Sequence, residues 1–280
     1  MSNPLRVFSF GGGVQSTACL VLAAQGKLDY KTFLFSNVGE DSENPDTFEY
    51  MRKYAIPFAE KHGLEIRMID RIKRNGEKET LIQHLMKPSR SIDIPAYLIN
   101  PKTGKAAPGN RACTVTFKIK VIAREIKRMG ATKENPAIIG IGISWDERGR
   151  ATTTNRIKHQ ITEYPLLDLV LNKIDCINII TKAGLPQPPK SSCFYCPFHQ
   201  LPQWFELHDN HPDLFKVAVD LEQVLIEKRK ALGKDAVWLT QYGKPLDQVV
   251  SGSNNQMLID WEEGPEDRHS CGPFVCSNKF

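Results

Sequence analysis

Three consecutive glycines, Gly11, Gly12 and Gly13, separate a short apolar run from a segment of helical character that opens with Gln15 and Ser16 (SFGGGVQST, residues 9–17). A strand, a glycine turn and a helix N-terminus bring backbone N–H groups and the positive end of a helix dipole to one point, which suits a phosphate. Two common phosphate-binding patterns do not fit. A dinucleotide fingerprint needs glycine at 11, 13 and 16, and 16 is Ser; a Walker loop needs a lysine before its Ser/Thr, and none follows the glycines. A tight turn that binds nothing is the plainer alternative. Far along the chain, Cys193 and Cys196 (SSCFYCPF) have the two-residue spacing with which thiolates share a metal ion or an iron–sulfur cluster.

The chain has seven cysteines, at 19, 113, 176, 193, 196, 271 and 276. An odd number without an export signal points to reduced thiols, metal ligands or redox chemistry rather than a disulfide framework. Cys19 and Cys176 fall in apolar helical patterns and read as small buried hydrophobes. No stretch approaches the about 20 apolar residues that span a bilayer, so a cytoplasmic protein with no membrane partner is expected. The composition, 41% hydrophobic and 25% charged, is that of an ordinary folded domain. The net charge of +5 is unevenly spread: residues 71–128 carry 14 basic against 4 acidic side chains. Such a run is either a solvated face or a surface for a polyanion, nucleic acid or nucleotide polyphosphate.

The elements that must position these groups alternate in type. Residues 5–10, 31–37, 64–69 and 137–144 read as strands; 14–25, 45–63, 115–129, 172–184 and 212–233 read as helices. Alternation of this kind predicts an α/β fold, a doubly wound and mostly parallel sheet. Residues 71–111, rich in Pro, Gly and basic side chains, interrupt it as a long loop-like insertion. The expected organisation is an α/β domain over 1–190 and, over 191–280, a small helical appendage with the cysteine knuckle and a Cys-containing tail.

SFGGGVQST resembles the PP-loop of the superfamily that joins N-type ATP pyrophosphatases with PAPS reductases, the adenine nucleotide alpha hydrolase-like proteins. Further segments agree in the family's order. NVGEDSENPDTFEYMRKYAIPFAEKHGLEI is similar to its second-strand and helix segment, and RACTVTFKIK to its Cys-(Cys/Thr)-x-x-x-Lys segment. GIGISWDERGR stands where the family has TGxRxxES, EYPLLDLVLNKIDCINIITKAGLP resembles its PL-DW helix, and SSCFYCPF supplies the C-x-x-C that follows. The resemblance implies a phosphate cradle of Gly11, Gly12, Gly13 and Ser16, with Ser9, Asn37, Gly142 and Arg148 as further nucleotide contacts. Gln15 stands where the pyrophosphatases carry Asp, and Lys118 is the substrate-facing cation. Arg148, Arg150 or Arg156 replaces the arginine missing after the glycine of GIGIS.

For the cysteines the resemblance implies a [4Fe-4S] cluster held by Cys113, Cys193 and Cys196; either the tail supplies a fourth thiolate, with Cys276 the candidate, or one iron stays open to hold sulfide or a substrate atom. Zinc on Cys193, Cys196, Cys271 and Cys276 is the alternative. Mg2+ would accompany the nucleotide, with Asp146 and Glu147 as possible ligands, and Trp145 as a possible base-stacking surface. The implied activity is ATP-dependent adenylation, releasing pyrophosphate, coupled to thiol- or cluster-assisted sulfur transfer to a nucleobase or nucleic acid such as tRNA or DNA, with a sulfur donor. The second reading is a PAPS or APS reductase that forms sulfite with thioredoxin, Cys271 of the SCG segment being its nucleophile. A third is a non-catalytic nucleotide- or nucleic-acid-binding module.

Overall fold

A computed structural model describes residues 4–152 and 157–252. From the N-terminus run β1 (Arg6–Phe10), α1 (Val14–Ala24), β2 (Thr32–Asn37), α2 (Pro45–Tyr50), α3 (Ile56–Lys61) and β3 (Glu65–Asp70). Then come α4 (Leu81–Met86), the short strands β4 (Tyr97–Ile99) and β5 (Ala106–Pro108), α5 (Lys120–Arg128), β6 (Ala137–Ile141) and β7 (Gln160–Glu163). The helices α6 (Pro165–Asp168), α7 (Lys173–Lys182), α8 (Leu201–Asn210), α9 (Pro212–Ala231) and α10 (Leu246–Ser251) complete the order. Two compact units result. One contains residues up to 80 and 114–191; the other contains 81–113 and the described residues from 192 onward.

The first unit is built on a five-stranded sheet in the order β3-β2-β1-β6-β7, parallel throughout. Strand β1 is apolar on both sides because both faces are covered. Phe8 and Phe10 pack with Cys19, Leu20, Cys176 and Ile180 of α1 and α7, while Val7, on the opposite face, packs with Ile122 and Ile126 of α5. Helices therefore cover the two faces of the sheet, and the doubly wound α/β architecture expected from the alternation is present. No helix among the described residues is long and apolar enough to cross a membrane.

The helix expected over 45–63 is one continuous run broken in type: α2 passes into a π-helical turn at Met51–Ala55 and then into α3. Pro57 explains the break. It has no N–H for the carbonyl four residues earlier and its ring would press on that carbonyl, and a wider turn just upstream relieves both. Strand β7 was not expected. Its QITE sequence lacks an apolar run because an edge strand with one neighbour is not buried on all sides.

Residues 71–111 are not a bare loop. They contain α4 and an antiparallel pairing of β4 with β5, anchored by buried Leu81, Ile82, Leu85, Ile94 and Ala96, apolar positions that the Pro/Gly-rich composition obscures. In this second unit α8 and α10 pack on α9, and Trp204, Leu221, Leu225 and Leu246 form the interior. Glu222 of α9 is buried among them. Its two carboxylate oxygens accept the N–H groups of Leu239 and Leu246, each at 2.7 Å, fixing the chain that returns to α10.

Candidate functional site

Strands β1, β2 and β6 all end on the same edge of the parallel sheet. Chain order reverses between β1 and β6, since β1 runs outward through β2 to β3 on one side and β6 and β7 lie on the other. The crevice outside the carboxyl ends at such a reversal is where open α/β sheets bind ligands. Gly11, Gly12 and Gly13 occupy that place. Gly13 is the N-cap of α1, with φ −98° and ψ −175°, and no side chain among the described residues caps the helix. The orphan amides of the first turn of α1 are therefore left for an outside acceptor.

Each glycine has its own reason. Gly12 has φ +79°, and a Cβ there would stand 3.0 Å from Thr47 Cγ2, so it serves the turn and its packing on α2. A Cβ on Gly13 would meet nothing within 4 Å among the described residues, which leave this position open. Gly142, just beyond β6, lies against the helix start: a Cβ there would be 3.2 Å from Gln15 C and from Ser16 N. Glycine at 142 lets the end of β6 close against the first turn of α1, which narrows the crevice to backbone atoms.

Around this turn the polar side chains are arranged as follows. Ser16 Oγ donates to Gly13 O at 2.9 Å, so its hydroxyl hydrogen is used within the turn. Gln15 Nε2 reaches Ser144 Oγ and Glu147 Oε2, both at 3.4 Å. Glu147 forms an ion pair with Arg150, and both side chains are mostly buried. That pairing offsets a carboxylate which would otherwise repel an anion in the crevice. Asp146, expected beside Glu147 as a metal ligand, instead accepts the N–H of Lys173 at 2.9 Å and caps α7. Arg148 donates to Trp145 O at 3.2 Å, its guanidinium 5.3 Å from the half-exposed Trp145 ring.

Ser9 lies near the end of β1 on the face of Val7, and its buried Oγ has no hydrogen-bond partner among the described residues. Asn37 closes β2: its Nδ2 donates to Asp70 Oδ1 at 2.8 Å and its Oδ1 accepts the N–H of Gly39 at 2.9 Å. Asn37 is thus occupied in joining two strand ends. Lys118, buried, belongs to a second π-helical turn, Thr114–Ile119, that leads into α5. Ser36 Oγ donates to Phe117 O, which fastens that turn to the carboxyl end of β2. The segment expected from sequence as plain helix at 115–129 therefore begins with this wider turn. The Ser36 tie, the Gln15–Ser144–Glu147 contacts and the Glu147–Arg150 pair were not found by sequence reasoning. The only sequence signal for them is the charged run DERGR at 146–150.

The cysteines divide by environment. Cys19 and Cys176 are fully buried in the core of the first unit. Burial pushes the Cys19 thiol well above its ordinary range, and the Cys176 thiol to about 12, the latter raised further by Asp146, Asp175 and Glu147. Such thiols stay protonated and inert. Cys113, Cys193 and Cys196 all belong to the second unit. Cys193 and Cys196 are held in a tight turn, with Cys196 N–H on Cys193 O at 3.0 Å and His199 N–H on Cys196 O at 2.9 Å. Between them Phe194 and Tyr195 are buried and packed edge to face, which fixes the turn. Among the described residues no group of three or more His, Cys, Asp or Glu side chains is arranged to hold a single metal ion. Cys271, Cys276 and Arg156 lie outside the described residues.

Neither a family model nor a curated protein matches the chain. Among solved structures, the U34-tRNA thiolase NcsA from Methanococcus maripaludis with its [4Fe-4S] cluster is similar to it at 13% identity, over 99% of this chain and 78% of that one, with a TM-score of 0.41.

Proposed function

We propose that this chain is an ATP-dependent enzyme that activates an oxygen of a nucleic-acid base as an adenylate and replaces it with sulfur. The observation that carries the reading is the uncapped start of α1 behind Gly11–Gly13, at the sheet's reversal point, with open space at Gly13 and glycine required at 142. The resemblance of SFGGGVQST and the ordered segments after it to PP-loop proteins supports adenine nucleotide as the ligand.

In this mechanism the first-turn amides of α1 hold the phosphates and orient the α-phosphorus toward the acceptor. Paired with Arg150, Glu147 adds little net repulsion, and Gln15 is oriented by Glu147 and Ser144 at the crevice wall. The acceptor oxygen bonds to the α-phosphorus as the bond to pyrophosphate breaks. Lys118 offsets the negative charge that develops. A sulfur at the oxidation level of hydrosulfide then bonds to the activated carbon as the C–O bond to AMP breaks, so no external electrons are needed.

Cys193, Cys196 and Cys113 have the donor chemistry for an iron–sulfur cluster, in which separate irons each take a thiolate and the ligands need not converge on one ion. When bound, such a cluster would hold or deliver the sulfur. Release of pyrophosphate from ATP on addition of RNA or DNA tests the reading, followed by detection of thiolated base in the digested product. No pyrophosphate with any nucleic acid tried would overturn it.

A further inference from the structure

A second concave site lies in the first unit, at the carboxyl end of edge strand β3. The chain leaving β3 at Asp70 runs along the start of α5, and between them is a cavity of about 460 Å3 lined by Arg71, Ile72, Lys73, Arg74, Thr116, Lys120, Val121 and Arg124. Five of these eight side chains are cationic and none is acidic. Two of the five, Arg71 and Lys73, are paired with Glu79 and Glu77, while Glu125 is taken by Arg67 and Arg128 and Asp70 by Lys78. Arg74, Lys120 and Arg124 are exposed, and none of the three pairs with a carboxylate among the described residues. Arg124 also donates to Ile72 O at 2.6 Å, which holds the wall in place, and Ile72 presents an exposed apolar surface beside the cations.

We propose that this cleft binds the phosphodiester backbone of a single nucleic-acid strand. Unpaired cations around a concavity attract a polyanion more strongly than the same charges spread over a convex face, because the cleft walls focus the field. Arginine planes with an apolar side chain suit stacking against bases without sequence preference. Because the sheet is parallel, the cleft opens on the same edge as the glycine turn. Strand binding here rests on the proposed function only for the idea of a nucleic-acid acceptor, and its test does not need ATP.

The test is fluorescence anisotropy of labelled poly(U) and poly(dT) against the full chain, with inorganic polyphosphate as competitor. The cleft variant is R74Q/K120Q/R124Q. The control is K27Q/K31Q/K133Q, three exposed lysines at the amino ends of the strands whose removal changes net charge equally. The cleft variant should bind either strand at least about tenfold more weakly, and its log K against log salt slope should be shallower by about 2, since each phosphate no longer neutralised takes about 0.7 from the slope. ATP affinity should be unchanged in the same variant, so failure here is distinguishable from failure of the nucleotide reading. Equal weakening in the lysine control would reduce the effect to net charge and overturn the proposal. Binding of polyphosphate without either nucleic acid would overturn it as well, as would no binding at all.

Discussion

Replacing Gly13 by alanine separates a glycine kept for the fold from one kept for a ligand. Its φ of −98° is open to alanine, and the added Cβ meets nothing within 4 Å among the described residues. Two opposing terms act on stability. Alanine lowers the entropy of the unfolded chain, worth about 0.4–1 kcal/mol, but is a poorer N-cap than glycine by a similar amount. The fold should therefore change by less than about 1 kcal/mol. If a phosphate sits against these amides, the methyl occupies its place and at least one charge-assisted N–H bond is broken, about 1.5–3 kcal/mol, or about 10- to 150-fold in affinity. Titration calorimetry with ATP and urea unfolding of the same sample give both quantities. Gly12→Ala is the contrast: at φ +79° it should cost about 1–2 kcal/mol in stability before any effect on binding. ATP affinity left intact by Gly13→Ala would refute a phosphate at the start of α1.

Gly142→Ala should lower stability by about 1–3 kcal/mol, seen in urea unfolding, since its Cβ presses on the backbone of Gln15 and Ser16, which cannot yield as a side-chain tip does. In anaerobically purified protein, Cys193→Ser and Cys196→Ser should each abolish bound iron and labile sulfide, whereas Cys176→Ser should keep both while losing stability; iron retained by both knuckle variants would remove the cluster. Burial raises the Glu222 carboxyl to about 7 against the pull of the Leu239 and Leu246 N–H groups. The folded state then holds a proton that the unfolded state releases above its ordinary value of 4.5, so stability is fullest below that pH, falls as pH rises toward 7, and levels off beyond. Over that window the loss is about 3 kcal/mol, which urea unfolding between about pH 4.5 and 8 will read; a flat profile would show that the carboxyl is ionised in the fold.

The parts legible in the sequence are those set by neighbours along the chain. The apolar runs at 5–10 and 31–37 become buried parallel strands because a sheet covered on both faces leaves no polar alternation to be seen. The glycine triplet reads as a strand-to-helix turn, and Cys193 and Cys196 as a fixed pair, because a few adjacent residues suffice to define each. What was not legible is what distant segments do to one another. The basic excess over 71–128 is visible, but only the fold separates its paired members, Arg71 and Lys73 among them, from Arg74, Lys120 and Arg124. The buried apolar positions of 81–96 were hidden by the Pro and Gly around them.

The two adjacent acids Asp146 and Glu147 show why spacing alone cannot assign the crevice. They lie on a 3-10 turn, Trp145–Arg150, with about three residues per turn. Residues three apart in such a turn eclipse, so Glu147 and Arg150 share a side and pair, while Asp146, a third of a turn away, faces the N-terminus of α7. One becomes a neutralised wall of the crevice reached by Gln15 from 132 residues earlier, and the other a helix cap. Had the segment been α-helical, 147 and 150 would stand about 60° from eclipsed and Glu147 would present its charge less fully covered. The charge presented beside the glycine turn therefore depends on the pitch of a turn on another strand's loop, which no motif at residues 9–17 records.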